Sequence, residues 1–199
     1  MPGLTRPLPS GTDLDDFYNT LLELLPSISD SVILRRVCGR LVEKEARPNL
    51  RAHHLQVTTV LLTWIQRLKD NPSPAIDEQG ATRDLLNCFL RAAKSSDILM
   101  ILGWIEDKNL DLEFRGDCVD TVGRFARANS GVRNFLHRLV SDSQLGPVAV
   151  WALARRPGNE SIRFLEDIAK SSSSNFVRLA AVAALKKLKA RGLIKPCKP

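Results

Sequence analysis

The apolar positions of the second half of the chain recur in two copies, VRNFLHRLVSDSQLGPVAVWALARR (132–156) and IRFLEDIAKSSSSNFVRLAAVAALKKL (162–188). Each copy reads as an amphipathic helix, a polar break and a second helix. Val182, Leu185 and Leu188 recur at every third position. Val150 and Leu153 hold the places of the first two one copy earlier, and Val119 and Val122 hold them one copy earlier again. The preceding helices share a second pattern: Phe135, Leu136 and Leu139 match Phe164, Leu165 and Ile168, with Asn134 as the slipped residue between the two registers. A helix pair with one apolar face cannot bury that face alone, so copies in tandem predict stacking. The expectation is an all-α chain, a solenoid of stacked antiparallel helix pairs with about ten helices. A non-repetitive helical bundle is the alternative.

The same periodicity, cut by proline and polar breaks, places the individual helices. A first helix starts near Thr12 or Asp13 and stops at Leu25 before Pro26; a second runs over about 30–46, closed by Pro48. Asn49 is expected to cap a third helix over about 50–69. DNPSPAIDEQG (70–80) reads as a long loop or a domain boundary, after which helices are predicted over about 82–94, 97–106, 114–128, 131–140, 145–155, 160–170 and 175–190. The predicted organisation is therefore a Pro-rich leader (1–12), an N-terminal helical cap or degenerate repeats (13–69), the repeat region (81–190) and a basic, frayed tail (191–199). Arg6, Pro7, Leu8 and Pro9 match the first half of a polyproline ligand, but Thr12 breaks the motif, and a flexible end is the expectation.

FVRLAAVAALKKL (176–188) resembles the second helix of the short, alanine-rich HEAT-like repeat of the phycobilisome-lyase type. Val177, Arg178, Ala181, Ala184 and Leu185 carry the resemblance, with an Arg after an apolar residue at the helix start and small residues on the packed face. The copy at 146–156 departs from it, with Gly146 in place of the Arg and Trp151 in place of a small residue. The resemblance covers about 130–190, extends loosely back to 113, and implies a HEAT/armadillo-like fold. Fold does not carry function with it.

Composition changes this picture little. The chain has 199 residues, 44% of them hydrophobic, enough for a substantial aliphatic core. Its longest apolar run, ILMILGWI (98–105), is too short for a membrane span, and the N-terminus lacks a charged leader with an apolar stretch behind it. Cys38, Cys88, Cys118 and Cys197 form no close pair, and three fall among apolar helical residues. Such cysteines behave as small hydrophobes, which favours a reducing, intracellular setting, cytoplasmic or nuclear.

Charge is more informative. The net charge is +7, from 29 Lys and Arg against 22 Asp and Glu. Residues 171–199 hold seven basic residues and no acid, so residues 1–170 balance at 22 of each sign. Pairs of cations also fall in the last turns of successive helices: Arg91 with Lys94, Arg124 with Arg127, Arg155 with Arg156, and Lys186, Lys187 and Lys189 together. Stacking would align these positions into a ridge. Two readings are open. Cations at a helix C-terminus interact with its partial negative charge, for roughly 0.3–1 kcal/mol each. Alternatively Arg124, Arg127, Arg155, Arg156, Lys186, Lys187 and Lys189 are the partner-binding residues.

Catalytic patterns are missing. His53 and His54 are adjacent and diverge on a helix, His137 stands alone, and no HExxH, CxxC or phosphate-cradling glycine loop occurs. The missing His-Glu pairs also argue against the di-iron hydroxylases built on HEAT-like repeats. Trp104, Glu106 and Asp107 offer the ring and carboxylate used by HEAT-like DNA glycosylases, but Trp104 lies inside an apolar run. No cofactor or metal is expected. The function expected is a non-catalytic scaffold or adaptor that presents its basic ridge to an acidic protein surface or peptide. Nucleic-acid binding, with or without glycosylase-type chemistry, and an accessory subunit of an enzyme complex are the alternatives; a membrane is not an expected partner.

Overall fold

A computed structural model describes residues 12–71 and 73–194. The leader, the polyproline-like motif and the tail from Lys195, with Cys197, lie outside the described residues, Thr12 at the leader's edge apart. Among the described residues the chain is all-helical, with eleven α-helices, two single 3-10 turns and no strand. It divides into two compact units, Met1–Ala93 and Lys94–Pro199.

The first unit contains α1 (Thr12–Leu24), α2 (Ser31–Leu41), α3 (Arg47–Ala52), α4 (His54–Asp70) and α5 (Ile76–Ala92). Pro26 stops α1 as expected, in a 3-10 turn over Leu25–Ser27. Pro48 does not close α2. It sits in the first turn of α3, where its missing N–H has no helical partner to lose. Asn49 is inside α3 rather than capping a helix; it is buried, and its Nδ2 donates to Asn19 Oδ1 at 3.0 Å. The predicted single helix over 50–69 is broken at His53, whose backbone leaves the helical region (φ −94°, ψ 22°).

The expected loop at 70–80 is half helix. Ala75 is extended (φ −60°, ψ 148°), Glu78 Oε2 accepts its N–H at 3.2 Å, and Asp77 and Glu78 favour the positive end of the helix. α5 then packs on α2, α3 and α4. It buries Ala81, Leu85, Leu86, Cys88, Phe89 and Leu90 and is the centre of this unit. Cys38 and Cys88 are free thiols inside it, Cys88 Sγ donating to the Cys38 carbonyl at 3.6 Å. Hydrogen bonding with Cys88, then burial, push the Cys38 thiol up.

The second unit contains α6 (Ile98–Glu106), α7 (Leu112–Val122), α8 (Ser130–Leu139), α9 (Gly146–Arg155), α10 (Asn159–Ser171) and α11 (Asn175–Ala190). α6 packs on α7, α8 on α9 and α10 on α11, while α7 packs on α9 and α9 on α11. This arrangement is consistent with a helical repeat. α7 and α11 have side-chain caps, and the turn before α9 is held by Asp142. Asp111 Oδ1 accepts from Phe114 N at 2.8 Å, Asp142 Oδ1 from Leu145 N at 2.8 Å and Gln144 N at 2.9 Å, and Ser174 Oγ from Val177 N at 3.4 Å. The Leu145 N–H in particular holds the Asp142 carboxyl below its ordinary range. Asp142→Ala is expected to cost about 1 kcal/mol in chemical denaturation, because two backbone N–H groups of the turn before α9 lose their acceptor.

Two glycines set the spacing of the second helices. A Cβ at Gly123 would lie 2.6 Å from the Ala152 carbonyl oxygen, and one at Gly146 would lie 2.5 Å from the Val140 oxygen and 3.0 Å from Val177 Cγ2. α7 ends at Val122, short of the predicted 128, and gives way to turns in which Arg124 N, Phe125 N and Ala126 N bond to the carbonyls three residues back; close approach accounts for a glycine at 146, where the later copy has Arg178. The outer face of α11 carries exposed apolar side chains. Phe176, Leu179 and Val182 are 78, 57 and 49% exposed, whereas Val150, the counterpart of Val182 one repeat earlier, is fully buried.

His137 on α8 stacks on Phe164 of α10, with ring centroids 3.9 Å apart, and Arg133 Nη2 pairs with Glu160 at 2.7 Å. Burial first, then the Arg133 charge, lower the His137 pKa below its ordinary 6.5, while Glu160 opposes them. The fold thus favours neutral imidazole. Its contribution is complete above about pH 6.5 and is lost as pH falls from there through the lower folded-state value. Thermal unfolding should move to lower temperature between about pH 7 and about pH 5. His137→Phe, which keeps the ring stack, should flatten that part of the profile.

Candidate binding groove

The seven cations predicted to bind a partner all lie in the second unit, Arg91 of the wider series falling in the first, and the structure sorts them. Arg155, at the end of α9, pairs with Asp120 of α7. Lys187, on α11, places its Nζ 5.6 Å from the ring centroid of Trp151 on α9. These four residues, with Ala154, Ala184, Leu188 and Arg191, line one concavity of about 350 Å³. α11 can supply its share because Ala184, Lys187, Leu188 and Arg191 follow the helical spacing of three and four and so occupy one stripe. α9 supplies Trp151, Ala154 and Arg155 by the same spacing. Trp151 is 39% exposed, whereas Trp64 and Trp104 are 3 and 7% exposed, so the groove holds the one tryptophan available to a ligand.

The other predicted residues stand elsewhere. Arg124 donates through Nε to the Thr121 carbonyl at 3.3 Å and lies 5.7 Å from the Phe125 centroid. Arg127 and Arg156 are exposed and do not line the groove. Lys186 and Lys189 are also exposed, turned about 100° and 160° from Lys187 around α11. Sequence reasoning passed over Trp151 as a site residue and placed Arg191 in the tail. The repeat register held the signal. Arg124, Arg155 and Lys187 occupy matching places in successive copies, as do Asp120 and Trp151, whereas Arg156 falls in register with the buried Leu188.

The groove contains three cations around an exposed indole and a single acid, Asp120, which Arg155 already neutralises. It has attraction for negative charge and apolar surface to seat a side chain. No Ser, Thr, Cys or His side chain is among its lining residues. Elsewhere, Trp104 is buried with its ring edge-on to Phe114 at 5.9 Å, so it offers no stacking face at the surface. His53 Nδ1 lies 3.1 Å from Gln56 Oε1, and no group of three metal-ligating side chains occurs among the described residues. No described helix is long and apolar enough to cross a membrane. Comparison with protein families, with curated proteins and with solved structures gives no match to this chain.

Proposed function

We propose that the second unit is a HEAT-like solenoid segment, and that the groove between α7, α9 and α11 binds an acidic, partly apolar segment of a partner protein without catalysing a reaction. The packing of α7 on α9 and α9 on α11 supports the solenoid, since second helices that touch in order are what stacked hairpins require. The observation that carries the binding reading is the convergence of Arg155, Lys187 and Arg191 on the half-exposed Trp151. Arginine and tryptophan are the side chains that dominate binding energy in protein interfaces. Three buried free thiols support an intracellular setting.

Nucleic acid is the competing ligand, and a salt titration separates the two. A glutamate-rich peptide carrying one or two leucines should quench Trp151 fluorescence, and Arg155→Glu with Lys187→Glu should weaken its binding by about 10-fold or more. Tighter binding of a duplex oligonucleotide, with log affinity falling by roughly 0.9 per phosphate contact against log salt, would replace the peptide reading. Peptide binding unchanged in the double variant would remove the groove from the account.

A further inference from the structure

A second concavity, of about 490 Å³, lies between α6, α7 and α8 and uses none of the groove's residues. Its distinguishing member is Arg115. This side chain is only 8% exposed, yet it lines the concavity. Its Nε donates to the Ile105 carbonyl at 2.8 Å, which fixes the plane of the guanidinium. Among the described residues its two Nη groups have neither a carboxylate nor a carbonyl partner. A buried cation is costly unless it is paired. Arg115 also stands in the first turn of α7, where the helix end is itself positive; the charge of Asp142 favours it from a distance, without a direct contact. A planar guanidinium held by one edge presents its other N–H groups as a fork suited to an oxyanion.

The rest of the lining narrows the ligand. Lys108 and Arg138 bring the cations to three, and Glu106 and Asp142 supply two acids, so the lining carries one net positive charge. The backbone N–H groups of Gln144 and Leu145 already hold Asp142 Oδ1, and Asp142 makes no ion pair with Arg115 among the described residues. Ile105, Phe135 and Leu139 form an apolar wall. A single negative charge matches this balance, and a doubly charged phosphate would meet Glu106 and Asp142 without compensation. The volume lies in the range of small-molecule sites.

We infer that this concavity binds a monocarboxylate on a small apolar body, with the carboxylate on the Nη groups of Arg115 and the body against Phe135 and Leu139. This inference stands apart from the groove reading, because the two sites share no residue. The test is a titration of the full chain with octanoate, followed by NMR at the Arg115 side-chain N–H signals and by calorimetry, with octanol and octyl phosphate as controls. Octanoate should shift the Arg115 signals and bind more tightly than either control. Arg115→Lys keeps the charge but loses the fork, and should weaken octanoate about 10-fold. Arg138→Glu alters an exposed residue and turns the net lining charge negative, so it should weaken binding by a similar factor even if Arg115 variants fold poorly. Equal binding of octanol, tighter binding of octyl phosphate, or Arg115 signals unmoved by millimolar octanoate would overturn the assignment.

Discussion

Gly123→Ala is expected to destabilise the second unit by about 2 kcal/mol, against the usual direction of a glycine-to-alanine change. Where backbone and space permit, alanine gains roughly 0.4–1 kcal/mol by restricting the unfolded chain. Gly123 lacks the space. The added carbon would stand 2.6, 2.8 and 2.9 Å from the O, Cα and C atoms of Ala152, all backbone and unable to rotate away. α7 and α9 would have to separate, and overpacking of this kind costs roughly 1–3 kcal/mol before any loosening of the wider α7–α9 interface is added. Gly146→Ala should behave alike, because its new carbon meets the Val140 oxygen and Val177 Cγ2. Urea denaturation measures both, as a lower midpoint at unchanged slope. A neutral or stabilising Gly123→Ala would mean that the second helices do not approach as described.

Val150→Ala should cost about 2 kcal/mol, whereas Val182→Ala, the same change one repeat later, should stay within about 0.5 kcal/mol. The two valines share a register position in successive copies, but Val150 is fully buried, on a helix covered by α11, and Val182 is 49% exposed. The contrast tests whether the outer face of α11 is uncovered. Equal costs would place a neighbour over α11 in solution.

Helix identity in the second unit was legible because the repeat spacing preserves the apolar face, whereas the caps Asp111 and Ser174 were not singled out. Errors arose where a residue has two local meanings. Pro48 ends one helix or opens the next with equal local sense, and only the packing of α3 on α5 decides for the second. Two prolines, Pro72 and Pro74, in a polar stretch made 70–80 look like a loop, yet α5 starts at Ile76 and contains Gly80, where a Cβ would press on Arg35, which pairs with Asp77 and Asp84. The candidate site was legible in part. Charge at helix ends drew attention to Arg155 and Lys187, but it could not separate them from Arg156 and Lys186. That distinction depends on which stripe of each helix faces the neighbouring one. Arg115 was invisible as a site residue, since nothing in FRGDC marks a buried cation.

The groove is tested most directly by a two-dimensional NMR titration of the full chain with the glutamate-rich peptide. The three indole N–H signals serve as internal probes. The expected result is a progressive shift of the Trp151 indole and of the Arg155 and Arg191 side-chain N–H signals, with Trp64 and Trp104 unmoved. A largest response among residues 1–93, or three indoles moving together, would contradict it.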